Sequence, residues 1–296
     1  MPSAEFDALI ESFRVSQLSG DRSVEDARAG WESLAARFPP AGDLTYSTEI
    51  ADGVPVEWVE APGADPGRVV MYLHGGGYVL GSVPSYRAFA GRISSAAAAR
   101  VLLVDYRLAP EHRFPAAVDD AVAACQWLAR REDGLARVVV AGDSAGGGLA
   151  LAMMLALRDL GHALPAAGVC ISPSTDLAKT GESIRTRAHL DPMTSVPTTF
   201  AHARRYLGDD GDPTHPLASP LYAQLHGLPP LLVMVGTHEL LHDDSTRLAE
   251  KARAAGVDVT LEIAQDMVHI WPFFAAILPE GQQAVERVGA FVRAHA

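Results

Sequence analysis

From about residue 69 onward, apolar runs of four to six residues alternate with longer stretches in which apolar positions recur at helical spacing. Strands buried on both faces read as unbroken apolar runs, so this rhythm predicts a mostly parallel sheet covered by helices. The predicted strands are Val69–Leu73, Val101–Val104, Val138–Ala141, Ala167–Ile171, Leu231–Val235 and Val257–Ile263, with helices near 85–99, 116–131, 145–160, 243–255 and 281–295. Ahead of them, Thr45–Ile50 and Val54–Glu60 flank the turn signal Ala51-Asp52-Gly53, which predicts an antiparallel hairpin feeding the sheet. The expected class is therefore α/β, with eight strands flanked by helices. Residues 1–38 read as helical. They and a Pro/Thr/Asp-rich stretch at about 174–220 fall outside the strand–helix alternation and are expected off the sheet, as a helical cap. The organisation is then an N-terminal cap segment at 1–40 and a main domain at 41–296 that carries a second cap insertion at about 174–220.

Charge narrows the partners. The chain has 296 residues with 24 Lys+Arg against 36 Asp+Glu, a formal charge of −12, and no basic block. Phosphate backbones and anionic lipid attract proteins chiefly through basic side chains, so neither nucleic acid nor a membrane surface is expected as a partner. The start, MPSAEFDALIESF, is acidic where a signal peptide is basic, and the longest uncharged apolar run, Ala145–Leu157, is far short of a bilayer span. A soluble, cytoplasmic protein is expected. Cys125 and Cys170 sit in no metal-ligand spacing and read as buried free thiols in a reducing compartment.

Two glycine-rich turns carry the chemistry. Val138–Ala141 runs directly into Gly142-Asp143-Ser144-Ala145-Gly146-Gly147 and then an Ala/Leu-rich helix. A serine on such a strand–turn–helix junction is held clear of the backbone, and glycines two before and two after it avoid collisions. Its hydroxyl stands at a helix N-terminus, where N–H groups favour developing negative charge. Chance alone gives G-x-S-x-G about 0.14 times at this composition, but His74-Gly75-Gly76-Gly77, at the end of Val69–Leu73, only about 0.007 times. Successive glycines let backbone N–H groups approach a tetrahedral oxyanion. Gly77 is followed by Tyr78-Val79-Leu80, which fits neither a phosphate loop nor a dinucleotide turn.

A serine nucleophile needs a base, and on this kind of sheet the partners follow in the order Ser, acid, His. Among His238, His242, His269 and His295, only His269 follows a late strand at a short loop's distance from the sheet edge. The acid belongs after Leu231–Val235, where the candidates are Glu239, Asp243 and Asp244, and Glu239 lies nearest the strand end. Asp243 and Asp244 read as first-turn residues of the next helix. One competing motif, His238-Glu239-Leu240-Leu241-His242, matches the H-E-x-x-H zinc pattern, with Glu262 as a third ligand. Zinc chemistry needs both histidines on one face of an established helix, whereas this segment emerges straight from a strand. No metal or cofactor is expected.

The chain resembles the hormone-sensitive-lipase-like, bacterial family IV carboxylesterases of the α/β-hydrolase fold. The resemblance rests on His74-Gly75-Gly76-Gly77, on the run from Asp105 to Ala117 (DYRLAPEHRFPAA), and on Gly142-Asp143-Ser144-Ala145-Gly146, and spans roughly residues 70–275. It implies Ser144 as nucleophile and the N–H groups of Gly76, Gly77 and Ala145 as an oxyanion hole, with His74 and Gly75 supporting that loop. The family's acid motif, D-P-L-x-D, falls on Glu239-Leu240-Leu241-His242-Asp243, which places the acid at Glu239, about 30 residues before His269. Two departures stand out: Glu239 where the family has Asp, and Ile270 where it has Gly after the histidine. The implied activity is hydrolysis of short- to medium-chain acyl esters through an acyl-enzyme, with a small-molecule ester as partner. An amidase or lactonase using the same residues is the near alternative, and a non-catalytic binder the distant one. The resemblance also extends to plant gibberellin receptors, but those lack the histidine that is present here as His269. It admits a homodimer through the last strand. Trp271, Phe273 and Phe274, near the base, read either as pocket walls or as core.

Overall fold

The computed structural model describes residues 2–16 and 23–296. The elements, in chain order, are α1 (Ala4–Ser16), α2 (Val24–Ala35), β1 (Thr45–Ala51), β2 (Val54–Glu60), β3 (Asp65–Leu73), α3 (Val83–Ala97), β4 (Ala99–Val104), α4 (Ala116–Arg131), β5 (Val138–Asp143), α5 (Ala145–Asp159), β6 (Ala167–Ile171), α6 (Ser183–Thr186), α7 (Val196–Leu207), β7 (Leu231–Gly236), α8 (His242–Ala254), β8 (Val259–Ala264) and α9 (Pro279–His295). The predicted hairpin forms with Ala51 opposite Val54, and the two turn residues take φ of 49° at Asp52 and 93° at Gly53. Both lie in the left-handed region that matches the twist of a tight hairpin.

The eight strands make one sheet in the order β1-β2-β4-β3-β5-β6-β7-β8, antiparallel at β1–β2 and β2–β4 and parallel from there on. This is the α/β-hydrolase arrangement expected from the sequence. One face of the sheet is sealed by an apolar cluster that includes Ala117, Leu128, Leu149, Met153 and Leu248 of α4, α5 and α8. The other face is sealed by a cluster in which Tyr86 and Ile93 of α3 meet Val285 and Val288 of α9. The central strands β4, β5, β6 and β7 are buried almost throughout, which is why they read as continuous apolar runs.

The starts of β3 and β8 are among the boundaries that differ from the sequence expectation. β3 begins at Asp65, four residues early, because Pro66-Gly67-Arg68 form an irregular start whose polar residues carry no strand signal. β8 begins at Val259: Val257 closes the turn after α8, its N–H donating to Ala252 O beyond Gly256 at φ 82°. In the N-terminal segment, Phe6, Leu9, Ile10 and Phe13 of α1 join the cluster of α3 and α9, while α2 leans over the sheet's C-terminal edge. Residue 1 and residues 17–22 of the expected cap lie outside the described residues. Among the described residues no helix is long and apolar enough to cross a membrane. Cys125 and Cys170 are buried and unbridged, and burial pushes both thiols up to about 12.

Candidate active site

Ser144 sits between β5 and α5 at φ 52°, ψ −120°, a conformation that costs a non-glycine residue about 1–3 kcal/mol and persists only where its surroundings fix it. The fixing is visible. Its N–H donates to Ile171 O at 2.8 Å, and its carbonyl accepts from Ser174 N at 2.9 Å and Gly148 N at 3.1 Å. A Cβ on Gly146 would stand 2.0 Å from Leu73 O, and one on Gly142 would stand 2.4 Å from Gly146 O, so both positions exclude any side chain.

Ser144 Oγ lies 2.9 Å from His269 Nε2, and His269 Nδ1 lies 3.1 Å from Glu239 Oε2. An ionised carboxylate only accepts, so Nδ1 carries the proton and Nε2 is left to accept from the serine hydroxyl. Glu239 is fully buried, and its other oxygen accepts from Ser172 Oγ at 2.8 Å and from the N–H of Gly236. Ser172 also accepts from Ile270 N at 3.1 Å, so one hydroxyl ties the acid loop to the histidine loop. Burial lowers the His269 pKa, but the hydrogen bond and charge of Glu239, together with the charges of Asp191 and Asp143, outweigh it and leave the value raised above 6.5. Ile270, in the position where the resembled family has glycine, keeps the left-handed conformation at φ 47°.

The rival acids go elsewhere. Asp243 accepts from Ser183 N at 2.9 Å, and Asp244 accepts from Thr175 N at 2.7 Å and Asp176 N at 2.9 Å. Both stand in the first turn of α8, as expected, but neither caps it: α8 has no side-chain cap, and both carboxylates anchor the chain of the 174–220 insertion. The zinc alternative also fails on geometry. His238 precedes α8 while His242 opens it, and Glu262 pairs with Arg287. Among the described residues no cluster of His, Cys, Asp or Glu could hold a metal ion.

Across from Ser144, Gly76 and Gly77 take φ of 120° and 65°. Side chains there would strike Leu80 O and His202 Nδ1 at 2.2 Å each. The N–H groups of Gly76, Gly77 and Ala145 have no hydrogen-bond acceptor among the described residues. His74 stacks on Tyr106 with ring centroids 4.4 Å apart, and its Nδ1 faces Gly75 O at 2.8 Å. Burial pushes its pKa down to about 4, so the ring is neutral and supports the loop without charge.

Several contributors carry little or no signal in the pattern of the sequence. Asp143 is buried beside the serine and accepts from Tyr72 OH at 2.8 Å, Tyr86 OH at 2.8 Å and Gly75 N at 3.0 Å. Burial raises it to about 6 despite those donors, and it clamps the oxyanion loop to β5. Asp191 plays a similar part between the insertion and the acid loop, accepting from Leu240 N at 3.0 Å and Met193 N at 3.0 Å. A carboxylate inside a glycine motif is the one sequence clue to the first; Ser172 and Asp191 leave none.

The cavity above Ser144 and His269 measures about 180 Å³ and is walled by Trp31, Tyr78, Leu177, Met193, Leu241 and Ile270. Trp271, Phe273 and Phe274 are absent from it: all three are buried in the core cluster shared with α3 and α9, where Phe273 and Phe274 pack on Phe13, Phe38 and Phe89. Of the two readings open for them, core is the one found. α2 reaches the cavity through Trp31 and is held by Arg28, which donates to Val79 O at 2.9 Å and pairs with Glu111 at 2.8 Å.

Comparison with known proteins places this geometry among relatives. The α/β-hydrolase-fold family profile matches residues 70–273. An acetyl-hydrolase of Streptomyces hygroscopicus is 43% identical over 293 residues, covering 99% of this chain and 97% of that protein. An esterase of Acinetobacter venetianus is 37% identical over 88% of this chain and 86% of its own length. Among solved structures, an esterase from the bacterial hormone-sensitive lipase family superposes with a TM-score of 0.96 at 47% identity, covering 100% of this chain and 99% of that one.

Proposed function

The chain belongs to the hormone-sensitive-lipase-like esterases of the α/β-hydrolase fold, and we propose that it is a serine carboxylesterase acting on short-chain acyl esters through a Ser144-His269-Glu239 triad. The observation that carries the reading is the continuous hydrogen-bonded chain from Ser144 Oγ through the His269 ring to buried Glu239. His269 Nε2 takes the serine proton as Oγ attacks the ester carbonyl, and Glu239 stabilises the imidazolium that forms. The unpaired N–H groups of Gly76, Gly77 and Ala145 receive the oxyanion, with the positive end of α5 behind Ala145. Collapse of the tetrahedral intermediate expels the alcohol with a proton from His269. Water, deprotonated by the same nitrogen, then releases the acid.

Chain length follows from the space available. A cavity of about 180 Å³ is below the roughly 300–1,000 Å³ of sites for drug-sized ligands, which favours acetyl to butyryl esters. Residues 1–40 and 174–220 are read as the cap that closes it, α2 supplying Trp31 and α7 supplying Thr198, Thr199 and His202. The unbridged Cys125 and Cys170 favour a cytoplasmic site of action. Initial rates on p-nitrophenyl butyrate test the proposal. Ser144→Ala should lower kcat by about 10⁶-fold, the loss seen when a nucleophile acting as part of a unit is removed. A variant retaining a tenth of the wild-type rate would end the serine reading.

A further inference from the structure

We propose that Lys179 is a specificity-determining residue that selects esters carrying a carboxylate near the scissile bond. The inference rests on the esterase reading above and names its substrate class. Lys179 lies in the 174–220 insertion and lines the same cavity as Ser144 and His269. Only 8% of it is exposed. Among the described residues its ammonium has a single hydrogen-bond partner, Ser174 Oγ at 3.2 Å. An ammonium has three donors, so two remain unused.

No carboxylate neutralises it at contact. Burial lowers its pKa, and the charges of Asp244 and Asp176 oppose that through space; both oxygens of Asp176 are committed to other donors, whereas Asp244 uses one oxygen and its other has no hydrogen-bond partner among the described residues. Asp244 accepts from Thr175 N and Asp176 N; Asp176 accepts from Thr180, Tyr222 and Arg247. A buried cation with unmatched donors is costly unless something that enters the cavity completes its shell. The backbone at Lys179 is also left-handed, φ 55°, a conformation that glycine would adopt freely.

The neighbours point the same way. Ser174, the lysine's partner, donates its N–H to Ser144 O, so the ammonium stands one residue's width from the nucleophile's turn. Thr194, Thr198 and Thr199 add hydroxyls to the cavity wall. His202, against Gly77, is held neutral near pKa 4 by burial and by the charges of Arg205 and Lys179. The lining thus combines the Lys179 ammonium and hydroxyl donors with apolar surface from Trp31, Leu177 and Met193. An ester with a second, anionic oxygen group satisfies both.

The carboxylate can belong to the acyl or to the alcohol part, and paired substrates separate the two. Monoethyl succinate against ethyl butyrate places it on the acyl side; acetoxyacetate against propyl acetate places it on the alcohol side. In a pH-stat assay, Lys179→Met should lower the ratio of kcat/KM for the charged over the neutral ester in one of these pairs by about 10- to 100-fold, the effect of one hydrogen bond to a charged group. Lys179→Arg should keep most of the preference. Partial loss of folded enzyme scales both members equally and cannot mask a change in the ratio, so unchanged ratios in both pairs, measured on the active enzyme, would overturn the inference. Calorimetric titration with succinate reads the site without turnover: binding lost in Lys179→Met supports the role of Lys179 even if every ester proves inert and the esterase reading fails. Binding that is indifferent to the substitution counts against it.

Discussion

Replacing Glu239 with glutamine changes one atom type in a fully buried side chain, and the surroundings determine the consequence. The glutamine carbonyl can keep the hydrogen bonds from Ser172 Oγ and Gly236 N, which leaves its amide facing His269 Nδ1 at the present 3.1 Å position. An amide N–H cannot accept, so the imidazole must move its proton to Nε2, and Ser144 then meets a donor instead of a base. In that orientation kcat should fall by about 10⁴-fold, the loss produced by a wrong tautomer in an equivalent triad. Turning the amide over restores the tautomer but sets its N–H against Gly236 N–H. One buried donor left unpaired costs about 1–3 kcal/mol, and a neutral carbonyl stabilises the imidazolium less than a carboxylate does. The flipped state therefore limits the loss at its mild end to about 10²-fold, or about 2.7 kcal/mol of barrier. The assay is kcat on p-nitrophenyl butyrate at alkaline pH, with Asp243→Asn alongside; because Asp243 serves Ser183 N, that variant should stay within about tenfold of wild type. A Glu239→Gln enzyme within tenfold of wild type, or a collapse confined to Asp243→Asn, would refute the assignment.

Three further outcomes follow from the same geometry. His269 acts as base only when neutral and its pKa is raised above 6.5 by Glu239, so kcat/KM should fall about tenfold per pH unit on the acid side, with the half-loss point above 6.5; a profile flat to about pH 5 contradicts it. Asp143→Ala leaves the buried hydroxyls of Tyr72 and Tyr86 without their acceptor, at about 1–3 kcal/mol each; denaturant unfolding should show a loss of about 2–6 kcal/mol, and an unchanged midpoint would show that the clamp carries no stability. Incubation with a metal chelator should leave turnover intact, because Glu239 has both oxygens engaged and His238 stands outside α8; inactivation reversed by added zinc would reopen the His238-Glu239-His242 reading.

The fold was legible because its central strands are buried on both faces and announce themselves as apolar runs. The two glycine turns were legible for a related reason: at Gly142, Gly146, Gly76 and Gly77 an added Cβ would meet other atoms at 2.0–2.4 Å, so the sequence has no other residue to offer. Chain order then selected His269 and Glu239, whose hydrogen bonds to one another and to Ser144 are now visible. What stayed hidden depends on partners distant in sequence. Tyr72 reads as an ordinary strand residue until Asp143, 71 positions later, is found against its hydroxyl. Asp244 reads as a helix-start acid until Thr175 and Asp176 arrive from 69 and 68 positions away. The aromatics at 271–274 lie next to the base in sequence, yet a short helical turn directs them into the core, and the cavity wall comes from Trp31 and the insertion instead. Lys179 gave no sign at all, since a lone lysine in a polar stretch reads as solvated surface.

With Ser144 as nucleophile, the acyl group passes to Ser144 Oγ before water receives it. Acid-quenching the enzyme during steady-state turnover of p-nitrophenyl butyrate, digesting it, and mapping acylation by mass spectrometry tests this directly. One butyryl group is expected on the peptide that carries Ser144, at the serine itself, and none in Ser144→Ala. Acyl label on another residue, or undiminished turnover by Ser144→Ala with no label anywhere, would contradict it.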